Sequence, residues 1–540
     1  MKFSSLNKIE KSCIVGILIA FLIIIVGAIF LITDKNGKNG SNTSEIDEDT
    51  GNSEELADEM IYYPSSIQIN EPVQDYTLYD ANGISSRISD YRGKNVILLF
   101  WTSWCKYCKE EFKYMPEYAK LLESYDDVEI ILINKFDGIK ETKEQALTFL
   151  NENKIPFPSF FDENLMIYNS LGIKIVPTMI GIDSEGILKV CKPGQIGTVD
   201  NLKAFIDYVK FGGAADTEKF ITNEMTTVEG GVHVNYLESE QPSPAGFDIL
   251  SESQGIMMEY GVLKKDKALF DQYLNYVTKN MLVSDSLAAW MVTKEGSAAD
   301  SNALVDDLRM YKALYRANQL WGGYDELLNN WGKSIIEYNT NKNQPVNYYD
   351  FKAKKKANRI SLCFLDFEAL KLLEKIDTNV VGIYDNSNQL MKEGYISNDF
   401  PFYYSYYDYD KKEYSSDDLN MAEAMYTLLN LARVNELGEN SITWIEKSLE
   451  STGIKARYTI NGDIVEGYNY ESTAIYAIVA MIGKEIGNNK MVTEALSRME
   501  LVRTFDSSLL WKGTFTTDDG KDIFSFDQCM ALLLYGYLEY

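Results

Sequence analysis

Two stretches of the chain hold side chains whose type and spacing carry chemistry. In the first, Trp104-Cys105-Lys106-Tyr107-Cys108, two thiols stand so that Cys108 falls one helical turn beyond Cys105. Thiols placed this way make and break a disulfide: the helix dipole and unpaired amides favour a thiolate at Cys105, and Cys108 resolves a mixed disulfide. In the second, Ser251-Glu252-Ser253-Gln254-Gly255 leads into Met257, Met258, Val262 and Leu263, which sets Glu252 at or just before a helix N-terminus beside an apolar wall. Burial raises a carboxyl's pKa and the helix dipole lowers it. Where burial wins, Glu252 is a proton donor; where it loses, Glu252 is a first-turn glutamate placed for the dipole.

The rest of the composition narrows the options. The 540 residues include one histidine, His233, so zinc sites with two imidazoles are excluded and acid-base work falls to carboxylates. No ligand pattern surrounds His233, which reads as structural, and no cofactor is implied. A formal net charge of -28 excludes nucleic acid as a partner and suits a neutral or cationic one. Cys191, Cys363 and Cys529 lack a recognisable spacing and read as core residues.

The elements that position these groups are of three kinds. Lys2, Lys8 and Lys11 precede an uncharged apolar run from Ile14 to Ile32, long enough to cross a bilayer, so residues 1–33 are expected to be a transmembrane signal anchor. Cleavage after Ala28 is the alternative; Cys13 precedes the run, which is not the order of a lipoprotein signal. The acidic, Gly- and Ser-rich residues 34–64 read as a disordered linker, and everything beyond it is expected outside the cell membrane. Asn95 to Trp101 is then a buried strand running into the Cys-x-x-Cys turn and an amphipathic helix, with Val176-Pro177-Thr178 a candidate cis-proline turn opposite the thiols. Residues 65–213, with these motifs, resemble the membrane-anchored thioredoxin-like proteins of the TlpA/ResA type. The resemblance implies an α/β thioredoxin fold in which Pro177 abuts the redox pair and Glu111 tunes the thiols.

Residues 214–227 are expected to be a linker. From Val228 to Tyr540 apolar residues recur at helical spacing in segment after segment, which suggests an all-α ring of hairpins or a solenoid. Within it, Ser251–Met281 and Leu287–Leu314 are similar to the Ser-Glu-x-Gln-Gly and Trp-containing segments of glycoside hydrolase family 8. That resemblance implies an (α/α)6 barrel over residues 228–540 that hydrolyses a β-linked polysaccharide, usually with inversion. It implies Glu252 as general acid and Asp300 as a carboxylate in the central sugar subsite. The family's base lies in an Asp-x-x-Arg segment, best matched by "SSDDLNMAEAM", with Asp417 aligned to the base, Asp418 one residue away and Asn420 in place of the arginine. Ser415, Ser416 and the two aspartates equally suit the N-cap of a helix starting at Leu419. Asp306 and Asp307, on the helix after Asp300, either hydrogen-bond the site or face solvent. Trp290, Tyr403 and Tyr404 offer flat apolar faces to sugar rings, or ordinary packing.

The expected protein is therefore a membrane-anchored, extracytoplasmic glycosidase of endo-β-1,4 type with an attached thiol-disulfide oxidoreductase domain. Its partners would be a β-linked polysaccharide, exported protein thiols and the membrane. The alternative is an oxidoreductase whose helical domain is a degenerate hydrolase that binds glycan or protein.

Overall fold

The computed structural model describes residues 69–284, 286–376, 382–516 and 520–539. The anchor expected at 1–33 and the linker at 34–64 lie outside the described residues. No helix among the described residues is long and apolar enough to cross a membrane.

The first domain is built on seven strands: β1 (Thr77–Tyr79), β2 (Ser85–Arg87), β3 (Asn95–Trp101), β4 (Val128–Asn134), β5 (Ser159–Phe161), β6 (Thr178–Ile182) and β7 (Leu188–Pro193), in the order β2-β1-β5-β4-β3-β6-β7. Strands β3 and β4 are mostly apolar and buried, with Glu129 the interruption in β4, because they pair in parallel at the centre, covered by helices. Those helices are α1 (Lys106–Phe112), α2 (Met115–Leu122), α3 (Lys143–Glu152), α4 (Met166–Ser170) and α5 (Val199–Phe211). The turn between β3 and α1 carries the two cysteines, and the Val176–Pro177 peptide entering β6 is cis.

Residues 214–227 are not a linker. Ala214–Phe220 form a helix, α6, continued by a helical turn over Ile221–Met225. Phe220, Ile221 and Met225 are buried, and Glu218 receives the Tyr260 hydroxyl at 2.6 Å and the Lys264 amine at 2.7 Å, so the segment belongs to the second core. The sequence hides this because α6 is short and carries few apolar residues.

The second domain is a closed ring of helical hairpins. Its inner helices are α7 (Ser251–Leu263), α9 (Leu304–Trp321), α11 (Phe367–Leu373), α13 (Met421–Ala432), α15 (Thr473–Glu485) and α17 (Ser525–Glu539); each contacts the next, and α17 closes on α7. Outside them lie α8 (Lys267–Tyr276), α10 (Asp325–Asn339), α12 (Ile383–Glu393), α14 (Glu439–Leu449), α16 (Asn489–Glu500) and α6 against α17. This is the (α/α)6 barrel. Inner helices such as α7 and α15 are buried on nearly all sides; α15 is apolar almost throughout and α7 adds buried polar groups to its apolar residues, whereas α12, α14 and α16 are amphipathic. Because each hairpin runs in along an inner helix and back along an outer one, the inner N-termini gather at one end of the ring.

The two domains share an interface. Phe505 of the barrel packs between Phe205 and Tyr208 of α5, with ring centroids 5.4 and 5.5 Å apart. Asn201 Oδ1 accepts from the Ser507 amide at 2.8 Å. At the centre is the buried Arg503, whose Nε donates to Glu500 at 2.6 Å and whose Nη1 donates to the Gly513 carbonyl at 2.7 Å and to Thr217 Oγ1 at 3.2 Å. Its guanidinium also meets the Tyr535 hydroxyl and lies 5.0 Å from the Tyr208 ring. Replacing Arg503 by Ala strands the Glu500 carboxylate in this core, and the expected loss is about 3–5 kcal/mol in guanidinium unfolding. A loss under about 1 kcal/mol, the range of surface pairs, would show that water reaches the cluster.

Candidate functional site

Cys105 caps α1: its sulfur accepts from the Cys108 amide at 3.3 Å, and its thiol lies 3.2 Å from the Val176 carbonyl, next to the cis-proline. Hydrogen bonding from the Cys108 thiol, helped by the Cys108 and Tyr107 amides and by Lys109, outweighs burial and brings Cys105 down to about 6. Cys108 is pushed far up, first by burial and then by its hydrogen bond to Cys105 and the charge there. The pair thus divides into a nucleophile and a protonated resolving thiol. Glu111 is fully buried beneath them. It accepts from Tyr118 at 2.7 Å and from the Ile196 and Gly197 amides at 3.0 Å, and burial still raises its pKa. Pro177 sends its carbonyl to the Gly194 amide at 2.9 Å, so both redox-support residues hold the loop after β7.

In the barrel, Glu252 stands in the first turn of α7, at the end where the inner N-termini meet. Burial raises its pKa to about 8; the Asp306 charge adds to this, Arg309 opposes it, and Glu423 and Asp527 add further. Each of these three carboxylates also lies in the first turn of an inner helix. Asp306 accepts from the Ser251 hydroxyl at 2.6 Å and from Arg309 at 3.2 Å, so both its oxygens are committed. Glu423, raised to about 8 by burial against the pull of Arg457 and Arg359, lies 4.0 Å from the Cys363 thiol. Asp527 is raised by burial, and one oxygen takes the Ser472 hydroxyl at 2.9 Å and the Ala474 amide at 2.8 Å. Glu252 and Asp527 line one cavity of about 1170 Å³, together with Asn420, Tyr470, Phe524 and Phe526.

The structure redistributes the other expected roles. Asp300 is 59% exposed on a loop and pairs with Lys352 at 3.1 Å, and the carboxylate whose charge acts most on Glu252 is Asp306. Asp307 faces neither solvent nor Glu252; Asn302, the Ala288 amide and Trp331 Nε1 hold it at 2.7, 3.1 and 3.1 Å. Asp417 and Asp418 do not cap the following helix. Leu419–Asn420 pairs with Arg457–Tyr458, α13 starts at Met421, and Asn420 caps it through the Ala422 amide at 3.0 Å. Asp417 instead hydrogen-bonds Tyr406, whose ring lies 4.8 Å from the Arg359 guanidinium, which in turn acts on Glu423. Trp290 serves Glu252 through its backbone, its carbonyl taking the Ser251 amide at 3.0 Å. Tyr403 packs edge-on against Tyr395 and Tyr404 stacks on Tyr414, so these rings build the hairpin and the cavity's aromatics come from elsewhere. One signal in the sequence marks Asp306, Glu423 and Asp527: an acid opening an apolar helix, as Glu252 does.

Comparisons with known proteins agree with this division. The profile of the AhpC/TSA family matches residues 69–191 and that of glycosyl hydrolases family 8 matches residues 218–349. The thiol-disulfide oxidoreductase ResA of Geobacillus thermodenitrificans is 30% identical over 146 residues, 27% of this chain and 80% of that protein. YdaJ of Bacillus subtilis is 27% identical over 331 residues, 58% of this chain and 84% of that protein. A solved structure described as a novel alpha-amylase from Clostridium perfringens is 28% identical with a TM-score of 0.57, covering 61% of this chain and 98% of that one. The chain therefore joins a thioredoxin-like domain to a family 8 glycosyl hydrolase domain. Through the first of these it belongs to the ResA-type thiol-disulfide oxidoreductases.

The thiol asymmetry has a direct readout. Alkylation of the reduced protein by iodoacetamide should proceed first at Cys105, its rate rising with pH through a midpoint near 6 as the thiolate forms. A midpoint in the ordinary cysteine range, near 8.5, would refute the assigned division of roles.

Proposed function

We propose that the protein is a membrane-anchored, extracytoplasmic glycoside hydrolase that cleaves a β-linked polysaccharide, by endo-type, inverting, two-carboxylate catalysis. The thiol-disulfide oxidoreductase domain is held against it and acts on exported thiols or disulfides. The observation that carries the reading is Glu252: a carboxyl raised to about 8, on the wall of a large cavity that also holds a second carboxylate, Asp527. A group of that pKa keeps its proton at neutral pH and donates it to the departing glycosidic oxygen. An inverting reaction needs a second carboxylate to take the proton of the attacking water from the opposite side of the ring. Asp527 is supported as that base by its place in the cavity, and Asp417 by its line to Glu423 through Tyr406 and Arg359. Asp306 acts as a positioning residue: Ser251 and Arg309 occupy its oxygens, and its charge helps keep Glu252 protonated. The location rests on the basic-flanked apolar run at residues 14–32.

A second reading of the substrate, an α-linked glucan, is favoured by the likeness to the structure described as an alpha-amylase. Release of sugars from β-1,4-glucan, chitosan and starch separates the two. Wild type should release product from one of them, and Glu252→Gln should lose about three orders of magnitude in kcat. Because the acid works only while protonated, kcat/KM should fall as pH rises through about 8. No release from all three polymers, by folded protein with reactive Cys105, would make the helical domain a binding module and the oxidoreductase the main activity.

A further inference from the structure

The cavity at Glu252 is not enclosed by the barrel alone. Lys192 and Pro193, which end β7 of the thioredoxin-like domain, and Gly194, Gln195 and Ile196, which follow it, form part of its wall. At about 1170 Å³ it exceeds the roughly 300–1,000 Å³ of a small-molecule pocket, so it has room for several sugar rings. An extended substrate at Glu252 therefore has this segment within the same cavity.

The segment is rigid where it meets the cavity. Its backbone is held from three directions: the Gly194 amide by the Pro177 carbonyl at 2.9 Å, the Ile196 amide by Glu111 at 3.0 Å, and the Ile196 carbonyl by Asn201 Nδ2 at 2.9 Å. Asn201 in turn accepts from the Ser507 amide of the barrel at 2.8 Å, which ties the wall to the second domain. Two side chains on it have unspent hydrogen-bonding capacity. The Gln195 amide makes no hydrogen bond with any described residue, and Lys192 pairs with no described carboxylate although burial depresses its pKa. A partly buried amine and amide left over on a braced wall are suited to the hydroxyl groups of a sugar, which accept and donate in turn.

We propose that the thioredoxin-like domain is part of the hydrolase's substrate site, with Lys192 and Gln195 binding the hydroxyl groups of sugar residues that lie beyond the ring at Glu252. The two domains then make one composite cleft, and the first domain limits how the glycan chain is seated and where it is cut. This inference rests on the glycosidase reading for its ligand class, and its test separates the two.

The test uses the full chain carrying Glu252→Gln, so that substrate is bound and not consumed. Cellohexaose, maltohexaose and the glucosamine hexamer are titrated calorimetrically into this protein and into the same protein with Gln195→Ala or Lys192→Met added. In parallel, product lengths are compared between wild type and the two single variants, with thermal unfolding confirming the fold. Each added substitution should weaken binding of the preferred hexamer about fivefold or more, the scale of one lost hydrogen bond. The product pattern should shift with it. Unchanged Kd and unchanged product lengths, with normal wild-type cleavage, would overturn the composite site and leave the glycosidase reading standing. Weakened binding without any cleavage by wild type would do the reverse. No binding of any hexamer and no cleavage would overturn both.

Discussion

The barrel's chemistry depends on one buried guanidinium. Arg309 of α9 reaches Asp306 at 3.2 Å and the Tyr426 hydroxyl of α13 at 3.3 Å, and it opposes the rise in the Glu252 pKa. Four carboxylates gathered at the inner helix N-termini would be prohibitive in a cavity without a cation among them. With Arg309 present the sum is finely set: Glu252 is raised far enough to keep its proton, yet Asp306 remains anchored. Gly255 leaves room for it, since a Cβ there would lie 3.2 Å from Arg309 Cδ and 3.3 Å from Met310 Cγ, and those side chains would have to give by a few tenths of an ångström. Deeper in the ring the same logic continues with closer pairing: Lys312 meets Asp366 at 2.5 Å, and Glu259 faces Arg433 and Arg316 at 3.6 and 3.7 Å. Such pairs are a specification of geometry more than a source of net stability.

How much of this was legible depended on whether a role was written in local spacing. The redox pair with its strand, turn and helix is legible because it is a compact motif, whereas Pro177 beside the thiols and Glu111 beneath them come from the resemblance, since the contacts that fix them span 71 to 86 residues. Glu252 is legible as an acid opening an apolar helix, but local spacing leaves it equally a first-turn glutamate placed for the dipole, and the proton-donor role comes from the resemblance. Asp300 stands exposed beside Lys352 because Ser301 bridges Asp350 and the Phe351 amide takes the Asp300 carbonyl at 2.8 Å, a long-range pairing that no spacing announces. The helix after Asp417 began later than expected for a similar reason: residues 419–420 pair with 457–458, so that Asn420 became the cap. By composition the tyrosine-rich segment suits sugar faces or ordinary packing; its strand Tyr406–Asp408 lies between two others and its rings stack on one another. Aromatic content marks a surface that must be covered, and a neighbouring strand covers it as well as a glycan does.

The interface shows why the chain's two chemistries are structurally inseparable. Glu111 raises the resistance of Cys108 to ionisation and at the same time receives the amides of Ile196 and Gly197. Pro177 stands beside the Val176 carbonyl that faces Cys105 and also holds Gly194. The groups that tune the thiols are therefore the groups that brace the loop bordering the glycosidase cavity. A linker-joined pair of domains would leave that loop to solvent; here Asn201, Phe505 and the buried Arg503 cluster fix it against the barrel. The loop's position is thus set by hydrogen bonds on the redox side while its other face lines the cavity that holds Glu252, so one short segment carries constraints from both domains.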